Sequence, residues 1–393
     1  MVKCQPGYTG YFEPGSCDLD EFKALTSRNL EASAVPHASA VEKRVPLYDM
    51  KALAASLEDG AERRALLSEW AWVLGGSAGV IVLKGAYADT APVDRASDVF
   101  RSIIADERAG GAGKGDHFAA SGANDRIWNS LQKQCLRDPE GFALYFGNTV
   151  IAAACEAWLG PNYQMTSQVN QIRPGGKAQR SHRDYHLGFQ SADSAARYPV
   201  HVHEVSAALT LQGGIAHCDM PIESGPSKLL PFSQLYRPGY LAFHQEDHRA
   251  WFEEAHVQLP LEKGDAVFFN PALFHAAGEN RSSDIERMIN LLQVSSAFGR
   301  AMESIDRVAM AQAILPVLIS LKKAGRLSET ELGAAIAATA EGYPFPTNLD
   351  TDPPVDGNAP ASQAELLAKA VDEATPGKAF SDTMRVLKDR QVA

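Results

Sequence analysis

Apolar positions along the chain change their period twice. From Asp49 to Leu74, the residues Leu53, Leu57, Leu66, Leu67, Trp70, Trp72 and Val73 recur at spacings near three and four, which predicts a helix. The run Gly79-Val80-Ile81-Val82-Leu83, closed by Gly85, predicts a short buried strand. Helices are predicted over Ala91–Asp106 and Asp138–Trp158, the second stopped by Leu159-Gly160-Pro161. At Tyr163 the texture becomes short β-rich runs punctuated by Gly, Pro, Asn and Asp: Tyr163–Arg173, His201–Leu211, Val257–Leu259, Ala266–Phe269 and Met288–Ser295. Short strands with turn signals and no predicted helix between them indicate an antiparallel sandwich or barrel rather than a βαβ sheet. Helical spacing returns at Ala301–Ala324 and Ser328–Ala340, then a Pro/Asp-rich stretch from Pro344 to Pro360 leads to two weaker amphipathic segments. Residues 1 to about 45 read as irregular.

The expected architecture is a mainly β core with helices. A barrel at about 163–295 is preceded by a helical part at about 45–160 and followed by a helical extension at about 300–393, together read as one domain over 1–393. With 45% hydrophobic and 22% charged residues, a disordered or collagenous chain is excluded. The net charge of −11 argues against nucleic acid and anionic membrane as partners, since both require clustered positive charge. Five cysteines without a CxxC pair rule out a zinc ribbon and argue against a disulfide scaffold. No apolar leader opens the chain, and the longest apolar stretches fall short of the ~20 residues a span requires. The expectation is a soluble cytoplasmic protein; the pattern leaves the oligomeric state open.

Three residues then stand out. In Ser181-His182-Arg183-Asp184 a histidine and a carboxylate lie at i and i+2, between Pro174-Gly175-Gly176 upstream and Gly188 downstream, where no helix is expected. On an extended chain that spacing puts His182 and Asp184 on one face, whereas a helix would splay them. A third donor follows 93 residues later, where Gly264-Asp265 opens an apolar run that delivers His275 beyond its far end. Two neutral imidazoles and one carboxylate leave three octahedral positions open, which suits Fe(II) binding O2 and an organic co-substrate side by side. Arg287 opens the apolar strand Met288–Val294, and a lone buried arginine calls for an anion. Its planar fork fits the distal carboxylate of a 2-oxo diacid; Arg281, in the Asn280–Asp284 turn, is the weaker candidate.

Taken in order, Arg173-Pro174-Gly175-Gly176, His182-Arg183-Asp184, the turn Glu223-Ser224-Gly225-Pro226-Ser227-Lys228-Leu229-Leu230-Pro231, Gly264-Asp265 to His275, Gly278, Asn280 and Arg287 resemble the phytanoyl-CoA dioxygenase family. The resemblance runs from about Gly79 to Val294. It implies a double-stranded β-helix (jelly-roll) core, with His182, Asp184 and His275 as iron ligands and Arg287 as the 2-oxoglutarate anchor. The His-to-Arg gap is slightly longer than is common in the family, and the slack is assigned to the Gly278–Ile285 turn. Family members often carry amide side chains on the strand before the HxD pair, which implicates Gln168 and Asn170 in co-substrate binding. Tyr185, His186 and Phe189 follow the HxD pair directly, so the segment Tyr185–Tyr198 is expected to cover the site, with Tyr185 and His186 binding substrate.

Competing patterns are weaker. His217-Cys218-Asp219 is a second HxD, but it runs straight into the Glu223–Pro231 turn. A cupin site built on His201 and His203 would need a glutamate where Ala207 and Ala208 stand. Asp265 reads as a turn cap. The expected function is an Fe(II)- and 2-oxoglutarate-dependent dioxygenase that hydroxylates a small organic molecule with release of succinate and CO2. Asp184 fills the position that a halogenase leaves vacant. The alternatives are an inactive barrel that binds or senses a ligand and a hydroxylase of proteins.

Overall fold

Ten strands occur among the residues that the computed structural model describes, namely 10–58, 60–110, 124–354, 356 and 358–392. The first five are β1 (Ala40–Glu42), β2 (Val45–Asp49), β3 (Val80–Lys84), β4 (Asn124–Ile127) and β5 (Gln164–Ile172). The others are β6 (Thr210–Ala216), β7 (Lys228–Leu229), β8 (Ala266–Phe269), β9 (His275–Ala276) and β10 (Arg287–Ser295). Eight of them form one mixed sheet in the order β1-β2-β3-β8-β6-β10-β5-β4. Only the β2–β3 pair is parallel. In the middle of the sheet Arg287 opposes Ile172, and Gln293 lies between Thr166 and Gln212. β7 and β9 form a second ladder, which isolated bridges widen to His182 on one side and Val257 on the other.

The strand period of two gives the central strands two different faces. On β10, Arg287, Ile289, Leu291 and Gln293 line a cavity between the large sheet and the small ladder. Residues of alternate parity turn toward the helices: Asn290 donates to the Tyr145 hydroxyl, and Ser167 on β5 bonds Ser130. That side is covered by helices including Ser130–Arg137, Pro139–Phe146, Thr149–Leu159 and Arg307–Lys323. With both faces covered, β10 and β5 are buried along nearly their whole length. Among the described residues no single helix is long and apolar enough to cross a membrane.

Several expected elements are corrected. His201–Leu211 is mostly a helix, Val200–Ala208, and β6 begins only at Thr210. The His-Val-His-Glu-Val alternation imitates a strand, but the buried positions Val200, His203 and Ser206 recur every third residue. Helices Ala192–Ala196, Gly239–Ala242 and Glu246–Ala255 also interrupt the segment expected to lack them. The helix expected over Asp138–Trp158 breaks at Gly147-Asn148, where the Asn148 side chain accepts from the N–H groups of Val150 and Ile151 and starts a new helix. The helix expected from Asp49 begins only at Gly60. Val257 makes a single bridge, and the Asn-Asp-Arg-Ile strand β4 was not anticipated. The irregular first 45 residues contain the helix Leu19–Thr26 and strand β1.

Candidate metal centre and its cavity

His182 and His275 are placed by backbone pairing. The His182 N–H donates to the His275 carbonyl at 3.0 Å and the His275 N–H donates back at 3.1 Å. The Asp184 N–H then reaches the Pro271 carbonyl, which keeps the run extended and turns His182 and Asp184 to the same side. One donor atom from each of His182, Asp184 and His275 lies within 4.8 Å of the other two. The His275 Nε2 stands 3.4 Å from one carboxylate oxygen of Asp184, and the His182 Nε2 3.7 Å from the other.

Both ring tautomers are set from behind. The Nδ1 of His182 lies 2.9 Å from the Arg180 carbonyl and that of His275 2.8 Å from the Leu273 carbonyl. A carbonyl only accepts, so each Nδ1 carries the proton and each Nε2 offers a lone pair to the centre. Burial and the neighbouring His275 lower the His182 pKa, favouring the neutral, ligating ring. Burial would raise the Asp184 carboxyl, but His182, His275 and a hydrogen bond from Gln212 together hold it well below the usual range. Two neutral imidazoles and one ionised carboxylate converge, the donor set that a divalent iron takes.

Gln212 on β6 donates to Asp184. Its amide also approaches the Gln293 side-chain oxygen at 3.4 Å, and that oxygen accepts from the buried Tyr185 hydroxyl. A chain of polar groups thus ties the Asp184 carboxylate to two strands of the large sheet. Neither glutamine was singled out from sequence. The available signal was Gln293 sharing with Arg287 a strand face whose intervening positions are Ile289 and Leu291.

Arg287 lies in the wall of the same cavity, only 4% exposed. Its guanidinium donates to the Ser224 carbonyl at 3.0 Å and makes no ion pair with any described carboxylate. Glu286, the obvious structural partner, is taken by Gln171 and Arg173. Burial pushes the Arg287 pKa down to about 10, so it remains cationic at neutral pH. Arg281 is exposed. The Ser224 carbonyl is presented by a turn through Gly225 at φ +74°, where an added Cβ would sit 2.2 Å from the Glu279 carbonyl oxygen. Gly225→Ala is therefore expected to lower stability by roughly 2–4 kcal/mol and to be seen as an earlier midpoint in urea unfolding.

The cavity has a volume of about 610 Å³. Asn170 is in its wall with a buried side-chain oxygen that lacks a hydrogen-bond partner, an orphan of the kind a ligand satisfies. Gln168 lies one step along the same strand face but is not among the lining residues; its amide bonds Arg126 and Glu303. Tyr185 is buried against Gln293. His186, expected to face the substrate, is exposed and outside the cavity wall; Gly188 and Phe189 are the members of that segment that line it. The reason is backbone direction. Tyr185 and His186 take positive φ values of 63° and 45°, so the alternation that places His182 and Asp184 ends there.

The competing motifs have other roles. His217 is buried between the Ser97 and Tyr145 hydroxyls, and burial pushes its pKa down to about 3. His203 bonds the Ala195 carbonyl from its helix. Asp265 caps the turn as expected, accepting from the Glu262 and Gly85 N–H groups and from Lys84.

Dioxygenase trt7 of Aspergillus terreus is 28% identical over 139 residues, 35% of this chain and 43% of that protein. Dioxygenase andF of Emericella variicolor is 28% identical over 142 residues, 34% of this chain and 43% of that protein. The matched region thus spans less than half the length of these curated relatives. Among solved structures, the epimerase SnoN in complex with Fe3+, alpha ketoglutarate and nogalamycin RO is 19% identical with a TM-score of 0.42, covering 61% of this chain and 85% of that one. The non-heme alpha ketoglutarate dependent carbocyclase SnoK is likewise 19% identical, with a TM-score of 0.41, covering 58% and 83%. The profile described as phytanoyl-CoA dioxygenase matches residues 76–289, more than half of the chain and a span that includes His182, Asp184, His275 and Arg287, so the chain belongs to the phytanoyl-CoA dioxygenase family.

Proposed function

We propose that this chain is an Fe(II)- and 2-oxoglutarate-dependent dioxygenase that hydroxylates a small organic molecule. The observation that carries the reading is one cavity holding three convergent metal donors and a buried arginine without an acidic partner among the described residues. In this reading the large sheet and the β7–β9 ladder are the two walls of a double-stranded β-helix, and residues 1–393 act as one unit with helical flanks. His182, Asp184 and His275 would hold the iron. Bound there, iron would supply O2 activation coupled to oxidative decarboxylation of 2-oxoglutarate, giving succinate, CO2 and a hydroxylated product.

The chain's own residues have four tasks. The His182 and His275 rings keep their Nδ1 protons on backbone carbonyls and present fixed lone pairs. Gln212 holds the Asp184 carboxylate so that its orientation does not drift when the cavity fills. Arg287 grips the distal carboxylate of 2-oxoglutarate, and the side-chain N–H group of Asn170, in the same wall, donates to the same ligand. Val267, Phe269, Ile289 and Leu291 make the neighbouring wall apolar and exclude water from the reacting atoms.

Succinate release from 2-oxoglutarate, measured with and without iron, tests the reading; a chain that binds ligand without metal-dependent turnover would be the non-enzymatic alternative. Gln212→Leu is expected to weaken metal affinity roughly 10- to 100-fold while the fold survives, read by anaerobic Co(II) titration.

A further inference from the structure

Building on the dioxygenase reading, we infer that Gly214 and Ile289 together keep open the lane between the metal donors and Arg287, and so set which 2-oxo diacid the cavity accepts. Strand β6, in the interior of the large sheet, carries two consecutive glycines, Gly213 and Gly214. Glycine weakens a strand, and inside one it marks a bulge, a bend or a close approach. There is no bulge here. The pairing of β6 with β10 runs unbroken from Thr210 to Ala216, and that with β8 from Gln212 to Ile215. For Gly213 the close neighbour is the Phe268 ring, 2.6 Å from where a Cβ would stand and outside the cavity wall. Gly214 is on the cavity face, flanked by Val267 on β8 and Leu291 on β10. A Cβ there would stand 2.6 Å from the Ile289 Cδ1 and 3.1 Å from its Cγ1. The end of the Ile289 side chain thus occupies the space that a side chain at 214 would fill.

The fit matters because of where Ile289 stands. It follows Arg287 on the cavity face of β10, and Asn170 opposes it on β5. Gln212, which holds Asp184, opposes Gln293, and Gly214 opposes Leu291. In register, Gly214 therefore lies between the centre and Arg287, about 7 Å along the strand from Gln212. The co-substrate of the dioxygenase reading spans those two ends. With its tip laid on the bare backbone of Gly214, Ile289 leaves the lane clear. A methyl group at 214 would lift that tip off the floor. The sheet bars movement the other way, so the tip would enter the cavity or press on Asn170. Gly214 is a positioning residue that acts through Ile289, and Ile289 bounds the lane itself. Because both ends are fixed, a diacid longer by one methylene has to bow, and the Ile289 tip limits the bow.

The test is calorimetric binding of 2-oxoglutarate and 2-oxoadipate to the full chain loaded with Ni(II). Gly214→Ala is expected to weaken 2-oxoglutarate about tenfold with Ni(II) affinity unchanged. The variant should fold, since Gly214 has no positive φ and the obstacle to its Cβ is the far end of a flexible side chain. Adding Ile289→Val removes the obstructing Cδ1 and should restore most of the affinity, a rescue that a general loosening of the sheet would not give. Ile289→Val alone should raise the affinity for 2-oxoadipate relative to 2-oxoglutarate by roughly threefold or more. Parent-like 2-oxoglutarate binding by Gly214→Ala, a loss that Ile289→Val does not restore, or an unchanged ratio of the two acids in Ile289→Val would overturn the inference. Failure of the dioxygenase reading shows separately, as absent metal-dependent binding of 2-oxoglutarate by the parent chain.

Discussion

Asp184→Ala is expected to abolish metal binding and to lower 2-oxoglutarate turnover by roughly a thousandfold or more, the loss of several kcal/mol that a bound Lewis acid supplies. The Asp184 carboxylate faces both imidazoles, so its removal leaves two neutral ligands and no charge to balance a divalent ion. Far-ultraviolet circular dichroism should be unchanged, because the local ladder depends on the backbone groups of His182, His275 and Asp184 and not on their side chains. His182→Ala and His275→Ala should behave alike. Anaerobic Fe(II) titration checks all three, and a variant that retains wild-type affinity would show that its residue is not a ligand. Metal affinity should also fall in acid, since a proton competes for the His182 Nε2. The pKa of His182 is held below its ordinary value, so the ring stays available at neutral pH and the loss begins only below that value.

Arg287→Ala is expected to weaken 2-oxoglutarate binding by roughly 2–4 kcal/mol, about 30- to 1000-fold. The guanidinium is nearly fully buried and among the described residues has only a backbone carbonyl as hydrogen-bond partner, so a dicarboxylate would give it charge-assisted bonds. Arg287→Lys should restore part of the affinity, because a point charge does not reproduce the planar fork. Metal affinity should be unaffected. The unloaded Arg287→Ala protein should be no less stable than the parent, since the substitution removes a desolvated charge that has no counter-ion among the described residues. Equilibrium binding of 2-oxoglutarate in the presence of Co(II) separates these outcomes, and an unchanged constant would move the anchor away from Arg287.

What the sequence determined by itself was the chemistry that depends on local period. His182 and Asp184 are two residues apart on an extended run, so their convergence follows from backbone geometry alone. Arg287 is the one cation on an apolar strand, and its need for an anion is legible without knowing its neighbours. The strands Gln164–Ile172, Ala266–Phe269 and Arg287–Ser295 lie where the apolar runs placed them. Tertiary structure decided everything that depends on register or on a change of chain direction. Gln212 reaches both Asp184 and Gln293 only because β6 pairs with β10 in one register, and a slip of β6 by one residue would turn Gln212 away from the cavity. His186 leaves the cavity because two consecutive residues adopt positive φ, which no spacing rule reports. The segment at 200–208 folds as a helix because burial selects every third side chain, a choice made by the surface it packs against and not by its own alternating sequence.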